Sequence, residues 1–259
     1  LQKTKISKQQ LSNVKAHLYK QILISLRLNP AHQSIPVQIR EQFDFAYILY
    51  RKGLYKQSLK LLDKIKGQAL EYEEKNLAYE ILELEKIIES QYITRSIENR
   101  AESLIQQTED LSELNLISSK LSNLSLQLYA IFLKMGYART QEEADSIRNY
   151  FYQNLPEYKI KDIGFREKLW LYKAHLWFSF ITQDFLACYR YSMKWIDLFN
   201  EHKHLVSIHP VSYLKENHYL LESLFYLNHT NLFEKTLKNL EGMLKESKIP
   251  DDDNIKALA

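Results

Sequence analysis

An all-α fold, a superhelix of about five stacked helical hairpins preceded by one N-terminal helix, is what this sequence predicts, on three observations. Apolar residues recur at three- and four-residue spacing almost throughout, and no stretch alternates apolar and polar residues between turn signals. The 259 residues include only five Gly and five Pro, too few breakers for a fold of many strands and tight turns. Finally, Gly53–Leu59, Gln183–Tyr189 and Asn231–Leu237 carry one local instruction. Each sets a turn-tolerant or polar residue two places before an aromatic (Tyr55, Phe185, Phe233) and a small residue three places after it (Ser58, Cys188, Thr236). That pattern predicts the corner of a helical hairpin.

The elements follow in order. Leu11, Val14, Leu18 and Ile22 form the stripe of a first helix, which Asn29 and Pro30 end. After a loop containing Pro36, a helix apolar at Phe45, Ile48 and Leu49 runs to Lys52, and Gly53 supplies the sharp corner. Its partner carries Leu59, Leu62 and Ile65 and stops at Gly67. Leu77, Ile81, Leu84 and Ile88 mark a helix from Glu71 to Gln91, with Glu71, Glu73 and Glu74 at its positive end; its partner runs from Thr94 to Glu109. A third pair spans Leu114 to Met135, ended by Gly136, and then Thr140, with Glu143 in capping-box spacing, to Pro156. Phe165 to Thr182 and Asp184 to His202 make the fourth, the most aromatic part of the chain. The fifth starts after His209 and Pro210, turns between Asn228 and Asn231 and ends near Ser247. Corners near 53, 93, 136, 183 and 231 are about 40 to 48 residues apart, a repeat with drift.

Charge divides the chain. Residues 1–40 carry Lys3, Lys5, Lys8, Lys15, Lys20, Arg27 and Arg40 with no Asp or Glu, while the remainder is net acidic. This predicts a basic N-terminal helix or arm (1–35) packing on the solenoid, a repeat domain (36–248) and an acidic flexible tail (249–259) containing Asp251, Asp252 and Asp253. The arm can meet an acidic surface, its own body included, or phosphate. Cys188 is the one cysteine, so there is no intramolecular disulfide framework and no thiolate cluster. A reducing, cytoplasmic setting is the expectation. No run of about 18 uncharged apolar residues exists to span a membrane.

At Leu49, Tyr50, Gly53, Tyr55, Ser58 and Leu62 the chain resembles the tetratricopeptide family of helical-hairpin repeats. Phe180, Asp184, Phe185 and Cys188 follow the same frame, as do Phe233 and Thr236. The units are longer than that family's usual length of about 34 residues, and Leu70 stands where its closing Pro would be. Arg95 to Glu102 and Gln183 to Phe185 are also similar to uncharacterised bacterial proteins built on degenerate repeats of this kind. The resemblance implies a right-handed superhelix whose first helices line a concave face. Carried over position by position, that face holds Arg40, Phe43, Tyr47, Tyr50 and Arg51 in the first unit. In the fourth it holds Trp170, Lys173, Trp177 and Phe180, and in the fifth His218, Leu221, Phe225 and Asn228. Arg40, Tyr47, Tyr50, Arg51, Lys173, Trp177, His218 and Asn228 are the binding candidates; Trp170, Phe180 and Phe225 are expected to pack.

Catalytic signatures are missing. The closest two glycines are 14 residues apart, which excludes a phosphate loop, a dinucleotide fingerprint and a nucleophile elbow. His202, His204 and His209 beside Glu201 match no zinc pattern and are expected in a solvated loop. Asp251–Asp253 lack the last Asp of a D-D-x-x-D magnesium motif. No catalytic residue, cofactor or metal is therefore assigned. The expected function is a non-catalytic scaffold that binds a protein or peptide on its concave face. A regulatory protein whose basic arm contacts nucleic acid and an all-helical enzyme with a site outside known motifs stay open beside it.

Overall fold

A computed structural model describes residues 8–28, 34–91 and 99–245. Among them are ten α-helices, one 3₁₀ turn and no strand, so the chain is all-α. The helices are α1 (Lys8–Leu28), α2 (Ile35–Arg51), α3 (Tyr55–Glu71), α4 (Lys75–Gln91), α5 (Arg100–Met135), α6 (Gln141–Asn154), α7 (Phe165–Ile181), α8 (Phe185–Glu201), α9 (Pro210–Tyr226) and α10 (Thr230–Lys245), with the 3₁₀ turn at Lys203–Leu205. The helix end expected at Pro30, the corner near 93 with the start at Thr94, and the acidic tail lie outside the described residues.

Four corners share one backbone solution. At Gly53, Glu73, Gln183 and Asn228 φ is 74°, 60°, 58° and 56°, in the left-handed region. In each, the N–H of that residue bonds the carbonyl three back and the next N–H the carbonyl five back, as in Gly53 to Tyr50 (2.9 Å) and Leu54 to Leu49 (3.0 Å). The pairs Asp184 to Ser179 (2.9 Å) and His229 to Leu224 (3.0 Å) repeat it. This Schellman arrangement satisfies helix-end carbonyls while reversing the chain. Asp184 then caps the next helix, its side chain accepting from the Ala187 N–H at 2.9 Å.

Local corrections to the sequence-based expectations have physical causes. Pro36 is in the first turn of α2 rather than in a loop, where its missing N–H has no helical partner to lose. Helix α3 runs through Gly67 to Glu71, because burial on either side of it, at Lys66 and Ala69, outweighs the roughly 1 kcal/mol that Gly costs a helix. Glu71 therefore ends α3, and Glu73 forms a corner instead of a first turn. The helices expected at 94–109 and 114–135 are one helix of 36 residues, α5. Leu104, Thr108, Leu111, Ser118, Leu121, Leu124 and Leu128 are buried in unbroken register along it, and neither Gly nor Pro interrupts them. Thr140 caps α6 as expected, accepting from the Glu143 N–H at 3.2 Å, but the Glu143 carboxylate reaches back to the Arg139 N–H at 2.7 Å.

The chain divides into two compact units, Leu1–Ile65 and Lys66–Ala259. In the first, α1 is exposed along its described side chains, and the Ser58 hydroxyl donates to the Ala46 carbonyl at 2.8 Å, tying the corner's small residue to α2. In the second, α5 packs on α4 and α7, α7 on α8, α8 on α9 and α9 on α10, with α6 against α5 and α7. Its core is continuous from Leu124, Leu128, Ile147 and Phe151 to Phe180, Trp195, Phe199 and Tyr213. Each large side chain buried there contributes roughly 1.5–3 kcal/mol.

Two buried ion clusters brace the second unit. Lys66 Nζ is 2.7 Å from Glu85 Oε2, and Arg100 donates to the other Glu85 oxygen at 3.2 Å, joining α3, α4 and α5. Lys75 Nζ lies 2.6 Å from Glu167 Oε2 and 3.0 Å from Glu73 Oε2, joining α4 to α7. The Gly164 N–H also donates to Glu167 Oε2 at 3.0 Å, and a Cβ on Gly164 would stand 2.7 Å from Lys75 Nζ. A side chain there would oblige the ammonium to shift from its two carboxylates. Beside it the histidine segment, expected in a solvated loop, is mixed: His204 is exposed, whereas His209 lies flat against Phe165 (6.0 Å between centroids, 18°) and His202 meets the same ring edge-on. Burial and the nearby Arg166 lower the His209 pKa.

Candidate functional site

In the second unit, α7 and α9 both pack on α8, and the space between α7 and α9 is crossed by side chains rather than closed by direct helix packing. The crossing residues form rungs. Trp177 meets Tyr219 at 5.6 Å and Phe180 meets Tyr219 at 6.0 Å. Beside them, Phe185 at the start of α8 stacks on Tyr226 of α9 at 4.2 Å and 13°. The C-terminal part of α5 supplies a third wall, with Tyr129 4.8 Å and Phe132 5.4 Å from Trp177. Tyr137 closes the far end, its hydroxyl 3.0 Å from that of Tyr226. The segment bearing Tyr137 is held by the Ala138 N–H donating to Ile181 O (2.8 Å) and Gln183 Nε2 donating to Ala138 O (2.8 Å).

These rings pack heavily and still present surface. Trp177 is 7% exposed, but Tyr129 and Tyr226 keep 39% and 40% and Phe225 keeps 68%. Aromatic side chains with one face packed and an edge in water supply contact area at low entropy cost.

Charge is graded along this face. Lys173, one turn before Trp177, lies 4.8 Å over the Trp170 ring. Burial lowers its pKa, and Lys215, one turn before Tyr219, lowers it further. Among the described residues no carboxylate lies within ion-pair distance of either ammonium. Two turns on, Glu222 has its pKa raised by burial and partly restored by His218, 3.9 Å away. Burial, then Glu216, Glu222 and Tyr129, push the Tyr219 hydroxyl up to about 12, so it stays neutral at physiological pH. Burial, then the hydrogen bond with the Tyr226 hydroxyl, raises the Tyr137 pKa.

Lys173 and Trp177 lie on α7, His218 on α9 beside Tyr219 and Glu222, and Asn228 at the corner after α9. Arg40, Tyr47, Tyr50 and Arg51 lie in the first unit, on α2, where Tyr47, Tyr50 and Tyr55 follow one another at 5.9 and 6.0 Å. Phe180 packs as expected, whereas Phe225 is exposed. Tyr129, Phe132, Tyr137, Lys215, Tyr219, Glu222 and Tyr226 were not reached from sequence. The carried-over frame is one residue out of phase on α9: the side chains that cross to α7 and to Tyr137 are those at 215, 219, 222 and 226. The buried set Tyr213, Glu216, Asn217 and Leu220, which faces the core, fixes that phase.

Another concavity, of about 790 Å³, lies between α5 and the segment before α7, edged by Asp110, Glu113, Glu157 and Asp162 with Lys159. No group of three or more His, Cys, Asp or Glu among the described residues is placed to hold a metal ion. No described helix is long and apolar enough to cross a membrane. Compared with protein-family models, curated proteins and solved structures, the chain matches none.

Proposed function

We propose that this chain is a non-catalytic binding module of degenerate tetratricopeptide type that holds a polypeptide segment in the aromatic groove of α5, α7 and α9. The observation that carries it is the set of rungs between α7 and α9. Between α7 and α9, Trp177 and Phe180 meet Tyr219, and Phe185 at the start of α8 stacks on Tyr226, which gathers Trp and Tyr, residue types that dominate binding hot spots. The four like corners and the aromatic-then-small frame favour the repeat assignment. Affinity then comes from burying the remaining edges of Tyr129 on α5 and of Phe225 and Tyr226 on α9, which the hairpin stack gathers.

Site-specific photo-crosslinking in the native cell tests this. A benzophenone side chain at Tyr129 or Phe225 is expected to trap a polypeptide, and the same group at Tyr152, 61% exposed on α6, is not. Against the trapped partner, the Tyr129→Ala/Tyr226→Ala variant should bind at least about tenfold more weakly, about 1.4 kcal/mol, with an unchanged helical spectrum. Equal trapping at all three positions would reject the groove.

A further inference from the structure

We propose that α1 is a docking helix for an anionic lipid surface, lying along the headgroups with its apolar side in the upper acyl layer. Every side chain from Leu11 to Leu28 is exposed, although that stretch is rich in large apolar residues. At 3.6 residues per turn, Leu11, Val14, Leu18, Tyr19, Ile22 and Leu26 share one side of the helix, each 44% to 65% exposed. Asn13, Lys20 and Arg27 lie on the other side. Arg27 is 3.5 Å from Asp44, so α1 meets α2 from the side away from the stripe. Single apolar residues on a surface need no explanation; a stripe about 22 Å long marks a site of interaction.

Charge decides what covers the stripe. Residues 1–40 carry seven basic side chains and no acidic one, and Lys8, Lys15, Lys20 and Arg27 belong to α1 itself. Lys15 stands on the stripe's own side, one turn from Leu11, Leu18 and Tyr19. A second copy of this helix would bring like charges together and bury Lys15 without a counter-charge. A protein groove enclosing the stripe would have to supply a carboxylate at that one point. At a bilayer surface the Lys15 stem lies along its apolar neighbours while the ammonium stays among anionic headgroups, which offer negative charge all along the helix. Nucleic acid would satisfy the basic residues and leave the stripe in water. An anionic lipid surface takes up both features at once. No described helix is long and apolar enough to cross a membrane, so α1 lies in the plane of the interface rather than through it.

Flotation of the full chain with lipid vesicles tests this. The chain should rise with phosphatidylcholine vesicles containing about one third phosphatidylserine, and bind vesicles of phosphatidylcholine alone at least about tenfold more weakly. Leu11→Gln/Leu18→Gln/Ile22→Gln and Lys15→Gln/Lys20→Gln should each weaken binding to the anionic vesicles at least about tenfold, with the helical spectrum unchanged because these side chains are exposed. Tyr19→Trp, in an otherwise unaltered chain, reads depth without weakening the helix: its emission should shift to the blue when anionic vesicles are added. Equal binding to neutral vesicles, binding that survives the apolar triple change, or emission that does not move overturns the inference. A concentration-dependent dimer in sedimentation that the triple change dissolves would give the stripe to a second copy and overturn it too. Duplex DNA bound in place of vesicles, and released by the Lys15 and Lys20 changes, would give the basic residues to nucleic acid with the same consequence.

Discussion

Glu216 on α9 is fully buried, and neither carboxylate oxygen makes a well-aligned hydrogen bond. Burial holds its pKa well above the usual carboxylate range, with the Ser192 hydroxyl offsetting part of that penalty. The folded chain therefore keeps a proton that the unfolded chain releases near pH 4.5. Its contribution is fully present below that pH and is lost as pH rises toward the folded value, at up to about 1.4 kcal/mol per unit. Glu216→Gln is isosteric and cannot ionise. Its Tm should exceed that of the wild type by a margin that grows from pH 5 to pH 8; a margin independent of pH would contradict this account. The sequence does not mark Glu216 as unusual, because a Glu between Lys215 and Asn217 reads as helix surface until the phase of α9 is known. His175 is the opposite case. A lone helical histidine is more often packed than reactive, and here it lies flat on Tyr191 at 4.1 Å with its pKa pushed by burial down to about 4.

At the scale of the element, α5 separates what periodicity can show from what it cannot. The stripes of both its halves were legible; the join was not. Polar residues around Glu109 to Glu113 look like a corner, yet they occupy the exposed side of a helix whose buried side stays in register at Leu111. Ser112→Pro decides between the two. Its side chain is exposed, so only the backbone is tested, and in a continuous helix the substitution should cost about 3 kcal/mol or more in the denaturant midpoint. The corners at Gly53, Gln183 and near Asn228 were readable because an αL-tolerant or polar residue precedes an aromatic and a small residue. The one at Glu73 was not, since a β-unbranched acid gives no hint of positive φ.

For the whole molecule, charge is the coarsest variable. Residues 1–65 carry twelve basic and three acidic side chains, and residues 66–259 carry 23 and 29. The aromatic groove belongs wholly to the second, net acidic unit, so its two unpaired lysines are a local reversal of sign. The eight binding candidates taken from the hairpin frame fall four in each unit. Replacing Arg40, Tyr47 and Arg51 together by Ala should leave capture of the polypeptide trapped at Tyr129 within about twofold of the wild type, as read by fluorescence anisotropy with the full chain. A larger loss would move part of the recognition onto α2. The fold class and most helices were legible from spacing, and Lys173 and Trp177 were named through the resemblance to the hairpin-repeat family. The ring cluster was not, because its contacts between helices join residues 39 or more positions apart, and only packing sets which ring meets which.

Helix α5 is about 54 Å long, twice the span of the 17-residue helices it packs on. One end bears Arg100, clamped to Glu85; the other bears Tyr129 and Phe132 against Trp177. Side chains buried along that length, from Leu104 to Leu128, hold α5 against α4 and α7, so the Arg100 clamp and the rings around Trp177 are set in one register by a single rod.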